Sequence, residues 1–326
     1  MKISSIAVRW RLLASLIFLG ANVNVLAGTF PDQPIRIVVP FSPGGGTDFV
    51  SRLVGTKLAE LTGWQVIIEN RPGAGGNLAL DAVARAPADG YMLVMAQPDN
   101  ASLGPWLYSS VSYDTVKSFT PVIQVSTTPE AIASSAKSSI KTPEDLVAKG
   151  KSSQGLKWST AGAGTMGHLI GEDFKTRTQI SLLQVPYKGA SPALTDVMGG
   201  NVDVYIGTLA STVALVESGR LNLVAVATAK RSPRYPDVKT LDETVAKGVD
   251  FGVWMGLLAP AGTPPDVVAL LNKEINRVLL LPDVISKMAE TGVEPVGGSS
   301  TDFAAFVKKD YDRWEALAKT SGVKLD

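Results

Sequence analysis

Short apolar runs alternate along the chain with segments whose hydrophobic residues recur at helical spacing. Residues 35–39 form an apolar run between two prolines and predict a strand, and residues 49–61 carry the helical period. Further strands are predicted at 65–69, 91–95, 156–160, 182–187, 202–206, 221–227 and 251–259. This alternation predicts an α/β fold with parallel sheets and right-handed crossovers.

Two segments predict that the chain crosses between two α/β domains. Residues 119–126 are extended and rich in β-branched side chains, and the pattern continues to residue 133. The strand at 251–259 would return the chain to the first domain. We therefore expect one doubly wound domain of residues 28–127 and 250–326, a second of residues 128–249, and a ligand cleft between them.

The first 27 residues have the composition of a secretory signal peptide. Lys2, Arg9 and Arg11 provide the positive start, residues 12–18 are apolar, and Ala27 ends a cleavage site of small residues. A membrane anchor is the alternative, but the apolar run is shorter than the ~20 residues that a span needs. We expect cleavage after about Ala27 and a periplasmic location.

Composition narrows the classes of function. The chain has no cysteine, which removes disulfides, thiol nucleophiles and thiolate metal sites. Without the three basic residues of the signal peptide, 28 basic and 30 acidic side chains remain, a net charge of about −2. This balance argues against nucleic-acid partners and against binding to anionic lipid.

The stretch PFSPGGGTD, residues 40–48, joins the first strand to the first helix. Its glycines let backbone N–H groups face outward, and a helix N-terminus adds unpaired donors and partial positive charge. No Lys or Arg lies between Phe41 and Ser51. We therefore predict an anion cradle made of dipoles, hydroxyls and water. The candidate ligand-binding residues here are Phe41, Ser42, Gly44, Gly45, Gly46, Thr47 and Asp48.

A second Gly-rich turn, residues 161–167, repeats this arrangement between the strand at 156–160 and a helix. Its candidate residues are Ala163, Gly164, Thr165, Met166, Gly167 and His168. Gln97, Tyr187 and Gly207 come at or beyond the ends of other strands, where ligands of α/β proteins collect, and complete the set. Two cradles predict that each domain offers a helix N-terminus to one ligand.

Other interpretations of these motifs are weaker. Residues 162–167 match the G-x-G-x-x-G fingerprint of dinucleotide-binding folds, but Tyr187 and Lys188 stand where an acidic residue should end the next strand. The glycines at 73–76 lack the Gly-Lys-Ser/Thr ending of a phosphate loop and are interpreted as a tight turn into a helix. His168 is the only histidine, so a His-rich metal site is excluded, and a buried or capping role is favoured over ligand contact.

The sequence resembles the substrate-binding proteins of tripartite tricarboxylate transporters, the Bug-type periplasmic receptors. The resemblance runs from Thr29 to the C-terminus. Its motifs are PIRIVVPF (34–41), PGGGTD (43–48), ENRPGAGGN (69–77), DGY (89–91), VPYKG (185–189), PALTD (192–196), AKRSP (229–233), APAGTP (259–264) and EPVGG (294–298). It implies the type II periplasmic-binding-protein fold, with two α/β domains and a ligand cleft between them.

The chain departs from the family pattern at two places. The family's second loop commonly continues Asn-Gly-Thr with two hydroxyl residues, whereas residues 163–167 read AGTMG. The family often has Phe-Asp-Asn where Ile206, Gly207 and Thr208 stand. Both changes predict a less polar cleft that lacks a carboxylate able to meet an amino group. They favour a carboxylate ligand with an apolar or aromatic body over an amino acid.

The resemblance implies a receptor that captures a small organic mono- or dicarboxylate and delivers it to integral membrane transporter subunits. It implies no catalysis, no cofactor and no metal, and we expect a monomer. Two alternatives stay open: a sensory receptor for a membrane signalling protein, and an exported enzyme on a similar fold. An enzyme would need a paired acid and base in the cleft, and the sequence shows none.

Overall fold

The computed structural model describes residues 30–321, 324 and 325. The predicted signal peptide, residues 1–27, lies outside the described residues. Residues 33–326 form one compact unit, in which all the elements below lie, and the described residues 30–32 lie outside it. Within the described residues, no helix has both the length and the apolar composition needed to cross a membrane.

In the part of this unit that the structure describes, ten strands and ten helices alternate through most of the chain. The strands are β1 Ile35–Val39, β2 Val66–Asn70, β3 Met92–Ala96, β4 Phe119–Ser135, β5 Leu156–Thr160, β6 Leu182–Pro186, β7 Val204–Thr208, β8 Leu221–Val226, β9 Gly252–Pro260 and β10 Glu294–Pro295. The helices are α1 Gly46–Thr62, α2 Asn77–Ala84, α3 Gly104–Leu107, α4 Pro143–Gly150, α5 Met166–Thr178, α6 Ala190–Gly199, α7 Val213–Glu217, α8 Pro265–Leu279, α9 Pro282–Glu290 and α10 Ser300–Ser321.

The strands form one continuous sheet in the order β2-β1-β3-β9-β4-β7-β5-β6, with β8 and β10 also paired to β4. Strands β2, β1 and β3 are parallel at one end, and β7, β5 and β6 are parallel at the other. The prediction of purely parallel sheets is wrong in the middle, because β4 and β9 run antiparallel to their neighbours. We call the two ends the first and second sheet sections.

Strand β4 connects the two sections, as its long extended pattern predicts. Its residues 119–129 pair with β9, and from Glu130 onward it pairs with β7. The predicted domain boundaries at 127/128 and 249/250 fall beside this change of partner and just before Gly252, where β9 begins. The division into two domains remains a prediction.

The residues within and next to an element explain where several of the strands and helices form. In β1, Arg36 alone is exposed and the other residues are buried, as a strand covered on both faces requires. Thr142 caps α4, accepting a hydrogen bond from the Asp145 amide at 3.1 Å, and Pro143 occupies the first helical position. Trp158 on β5 and Trp254 on β9 are buried, which agrees with a packing role for both.

Candidate functional site

A cavity lies at the carboxyl ends of the parallel strands of both sheet sections, where α/β proteins bind ligands. It measures about 30 Å³, which has room for about two water molecules but not for an organic acid. No Lys or Arg is among its lining residues. The lining residues are Phe41, Gly45, Gly46, Thr47, Gln97, Asp99, Glu130, Ala161, Thr165, Gly167, Ala190, Tyr205, Ile206, Gly207, Thr208 and Ser211.

Direct hydrogen bonds join the loops on the two sides of this cavity. The Ser42 hydroxyl donates to the Lys188 carbonyl at 2.7 Å, and the Ser191 hydroxyl donates to the Pro43 carbonyl at 2.8 Å. The Gly46 amide, at the start of α1, donates to the Ser211 hydroxyl at 3.1 Å. Together with the small volume, these bonds show a closed arrangement of the loops.

Half of the predicted ligand-binding residues line this cavity, and their contact with a ligand remains a prediction. The lining members are Phe41, Gly45, Gly46, Thr47, Gln97, Thr165, Gly167 and Gly207. The structure places Ser42, Gly44, Asp48, Ala163, Gly164, Met166, His168 and Tyr187 outside the lining. Most of these outer residues have hydrogen-bond partners within the chain, which hold the two Gly-rich loops in shape.

Asp48 in the first loop supports the backbone of that loop. It is 4 % exposed, and its carboxylate accepts hydrogen bonds from the Gly44 amide, Arg52 Nε and Asn70 Nδ2 at 2.8–2.9 Å. Gly44 has φ +85°, a left-handed conformation that favours glycine. Burial alone would raise the pKa of Asp48, but the hydrogen bonds from Arg52, Gly44 and Asn70 together lower it below its usual 3.8. Asp48 therefore acts within the loop rather than on the cavity.

We expect Asp48→Asn to lower the free energy of unfolding by about 1–2 kcal/mol at pH 7, because three donors lose an ionised acceptor. The lowered pKa means that the contribution of Asp48 is complete above the unfolded value and is lost as the pH falls through the folded value. Urea unfolding of both proteins at several pH values measures this difference, which should shrink below about pH 4.

Asp237→Asn is the matched control, because Asp237 is exposed. It should leave the free energy of unfolding within about 0.5 kcal/mol of the parent value. A difference between the Asp48→Asn and parent proteins that stays constant down to pH 3 would contradict this account.

A line of hydrogen bonds connects the N-termini of α1 and α5. The Thr47 hydroxyl donates to Gln97 Oε1 at 2.7 Å, and Gln97 Nε2 donates to Asp99. The other oxygen of Asp99 accepts from the Met166 amide at the first position of α5. The two helix starts are therefore tied together through Gln97 and Asp99, both of which are buried.

The Gly164 and Met166 amides of the second loop, which the sequence predicts to belong to an anion cradle, have acceptors within the chain in this closed structure. The Gly164 amide donates to His168 Nδ1 at 3.1 Å, and the Met166 amide donates to Asp99. The Thr165 hydroxyl donates to the Gly162 carbonyl at 2.8 Å and makes no cap for α5. The amides of the second loop therefore donate to acceptors of the chain itself, and the carboxylate that the Met166 amide contacts is that of Asp99.

His168 and Tyr187 have intramolecular roles. Burial lowers the pKa of His168, so the neutral ring accepts the Gly164 amide at Nδ1, which agrees with the buried-histidine interpretation. The Tyr187 hydroxyl donates to Asp196 of α6, and burial raises the pKa of Tyr187 to about 12. Neither side chain lines the cavity.

Gly167 and Gly207 lie in the cavity lining at positions where neighbouring atoms leave no room for a side chain. A Cβ atom on Gly167 would collide with the Ile206 carbonyl, and one on Gly207 would collide with the Tyr205 hydroxyl. Glycine at 167 lets the first turn of α5 lie directly on β7. Glycine at 207 leaves space for the Tyr205 ring beside the cavity.

Asp99 and Glu130 are the acidic residues of the cavity lining, and the sequence analysis did not identify either of them. Asp99 follows β3, Glu130 lies within β4, and both are 2 % exposed. Burial raises the pKa of Asp99 to about 6, and burial together with the charge of Asp99 raises the pKa of Glu130 well above its usual range. The expectation of a cleft without a carboxylate is therefore wrong. Neither residue stands in a Gly-rich loop, and only the pairing of β4 and β7 brings Glu130 to the cavity.

Metal binding has no support in the described residues. No group of three or more His, Asp or Glu side chains in residues 30–321 is arranged to hold a metal ion.

The fold is that of the periplasmic binding proteins. Residues 50–323 match the family model described as tripartite tricarboxylate transporter family receptor, and the chain belongs to that family of periplasmic receptors. It is 32 % identical to the protein BugT of Bordetella pertussis over 308 residues, which are 94 % of each chain.

Solved structures of similar proteins carry the same fold. A protein of R. palustris solved with adipate has a TM-score of 0.86 and 34 % identity, covering 90 % of this chain and 99 % of its own. MatC of Rhodopseudomonas palustris, solved with malate, has a TM-score of 0.83 and 30 % identity, covering 89 % of this chain and all of its own. The predicted family and the α/β periplasmic-binding-protein fold are thereby confirmed.

Proposed function

We propose that this protein is a solute receptor that captures a small organic carboxylate in the cavity described above and delivers it to a membrane transporter of the tripartite tricarboxylate type. The observation that carries the proposal is the N-terminus of α1 at a cavity without cationic side chains. Thr47 lies in the first turn of α1, so its amide has no acceptor within the helix and is available to an anion. The adipate and malate bound by two similar proteins support a carboxylate ligand.

Ligand entry requires the loops to separate, because the closed cavity is too small for an organic acid. The change of strand partner at Pro129 and Glu130 provides a place for that motion. Opening would break the bonds of Ser42 to Lys188 and of Ser191 to Pro43, both made to backbone carbonyls that water can satisfy. A ligand would then stabilise the closed form through contacts that exist only there. No reaction is part of this proposal.

A thermal-shift panel of small metabolites tests the proposal. Mono- and dicarboxylates should raise the melting temperature, and at a hundred times the dissociation constant the stabilisation should be about 2.7 kcal/mol. Sugars and polyamines of the same concentration are the controls. A panel in which only sugars or polyamines raise the melting temperature would exclude a carboxylate receptor.

Delivery to a transporter has its own test. Membranes that contain transporter subunits of the tripartite tricarboxylate type should take up a carboxylate from the panel only when the receptor is added. Uptake that does not depend on the receptor would contradict delivery while leaving carboxylate binding intact.

A further inference from the structure

Two carboxyl groups from different parts of the chain face the same cavity. Asp99 belongs to the turn after β3, and Glu130 lies on β4 opposite Thr208 of β7. The first is held by the Met166 amide and by Gln97. For the second, atom Oε2 is buried and has no hydrogen-bond partner among the described residues. A buried polar atom without a partner is costly, so a ligand group that supplies one gains binding free energy.

The groups around Glu130 do not provide a positive charge. The cavity lining contains no Lys or Arg, and the titratable groups that act on Glu130 and its neighbours are Asp99 and Tyr205. Burial and the charge of Asp99 raise the pKa of Glu130, so both disfavour its ionised form in the closed structure. A cation between the two side chains would offset the repulsion between their charges and would give the buried carboxylate of Glu130 a partner of opposite charge.

The cavity therefore has two ends of opposite preference. At one end, the Thr47 amide in the first turn of α1 is available to an anion. At the other end, the start of α5 is already neutralised by Asp99, and the unpartnered oxygen of Glu130 accepts a donor. A second carboxylate of a ligand would meet Asp99 there and be repelled.

We propose that the ligand is an amino acid or a similar amino-carboxylate, with its carboxylate at the N-terminus of α1 and its ammonium between Asp99 and Glu130. This inference rests on the proposed function and names the ligand class of the same site. This ligand class differs from the carboxylate with an apolar or aromatic body that the loop sequences favour. The ammonium would donate to Glu130 Oε2, which is buried and has no hydrogen-bond partner among the described residues.

Matched pairs of compounds that differ only in the amino group test this inference. Calorimetric titration at pH 7.5 would compare aspartate with succinate, glutamate with glutarate, and 4-aminobutyrate with butyrate. The amino member of the pair that fits should bind at least about tenfold more tightly, the scale of one hydrogen bond to a charged group. Tighter binding by the compound without the amino group would overturn the inference and leave the carboxylate receptor standing. Binding by no member of any pair would overturn the inference, and the thermal-shift panel would still decide the carboxylate receptor.

Glu130→Gln separates the ionic contact from a change in shape. The substitution keeps the size of the side chain and removes its negative charge, so the preference for the amino compound should fall about tenfold. Binding of its partner without the amino group should change less than about threefold. Glu294→Gln, an exposed substitution on β10, is the charge-matched control and should keep the full preference. An unchanged preference in Glu130→Gln would overturn the role of Glu130, and the compound pairs test the ligand class in the parent protein regardless of how that variant folds.

Discussion

An oxidised Gly45→Cys, Ala190→Cys double variant should bind no carboxylate from outside, and a reducing agent should restore binding. A Cβ atom at position 45 would lie 3.4 Å from the Ala190 Cβ across the cavity, close to the separation of about 3.5–4.5 Å that a disulfide requires. Gly45 has φ −88° and ψ 173°, an extended conformation open to any residue. Because the chain has no other cysteine, the two introduced thiols can only pair with each other or between molecules.

The disulfide would hold the loops in the closed arrangement, whose cavity admits only about two water molecules. Calorimetric titration with the best carboxylate of the panel, before and after reduction, measures the effect on one protein sample. Each single-cysteine variant should bind equally well with and without oxidant. Full affinity of the oxidised monomer would show that a ligand enters without separation of Gly45 and Ala190, and would remove the opening motion from the mechanism.

Gly46→Val should weaken carboxylate binding by about tenfold to a hundredfold while the protein stays folded. A Cβ atom on Gly46 would lie 2.9 Å from the Ala210 Cβ and 3.0 Å from Thr208 Oγ1, both on the opposite side of the cavity. Overpacking of this kind costs about 1–3 kcal/mol, and the loops can avoid it by separating. The substitution therefore acts against closure, and with it against the contacts that hold the ligand.

Gly199→Val is the matched control, since a Cβ atom there meets only Asn201 Nδ2, at 3.6 Å, at the exposed end of α6. It should keep the affinity of the parent protein within about threefold. Circular dichroism checks that both variants are folded. Equal affinities of Gly46→Val and the parent would mean that the start of α1 does not close on the ligand.

The placement of the elements could largely be predicted from the sequence. The predicted strands at 35–39 and 156–160 coincide with β1 and β5, and most others shift by one or two residues. These runs are bounded by proline or glycine and have a clear hydrophobic pattern, so local physics decides them. The long strand β4 was likewise evident, because an extended run of 17 residues has no competing helical period.

The pairing of the strands could not be predicted in the same way. Strands β4 and β9 insert antiparallel between the parallel sections, and nothing in their hydrophobic pattern distinguishes antiparallel from parallel partners. A strand buried on both faces has the same composition in either case. Direction follows from where the chain returns, which is a property of the whole topology.

The sequence correctly indicated that the Gly-rich loops lead into helices. It did not indicate that several of their amides donate to acceptors within the chain. A loop sequence shows how many N–H groups are exposed by glycine, and it does not show which acceptors fold back onto them. Asp48 is four residues from Gly44 and belongs to the same turn. Asp99 reaches the Met166 amide across a separation of 67 residues in the chain.

The sequence by itself determined the family, the α/β elements and the glycine-built start of α1, because each depends on residues close together in the chain. Only the tertiary structure decided the polarity of the cavity. Asp99 and Glu130 come from a turn and from the middle of a strand, with no motif around either. They become a pair facing one cavity because β4 changes partner at Glu130 while α5 places its N-terminus over Asp99. Burial at that meeting point, which no local pattern encodes, raises the pKa of both carboxyl groups.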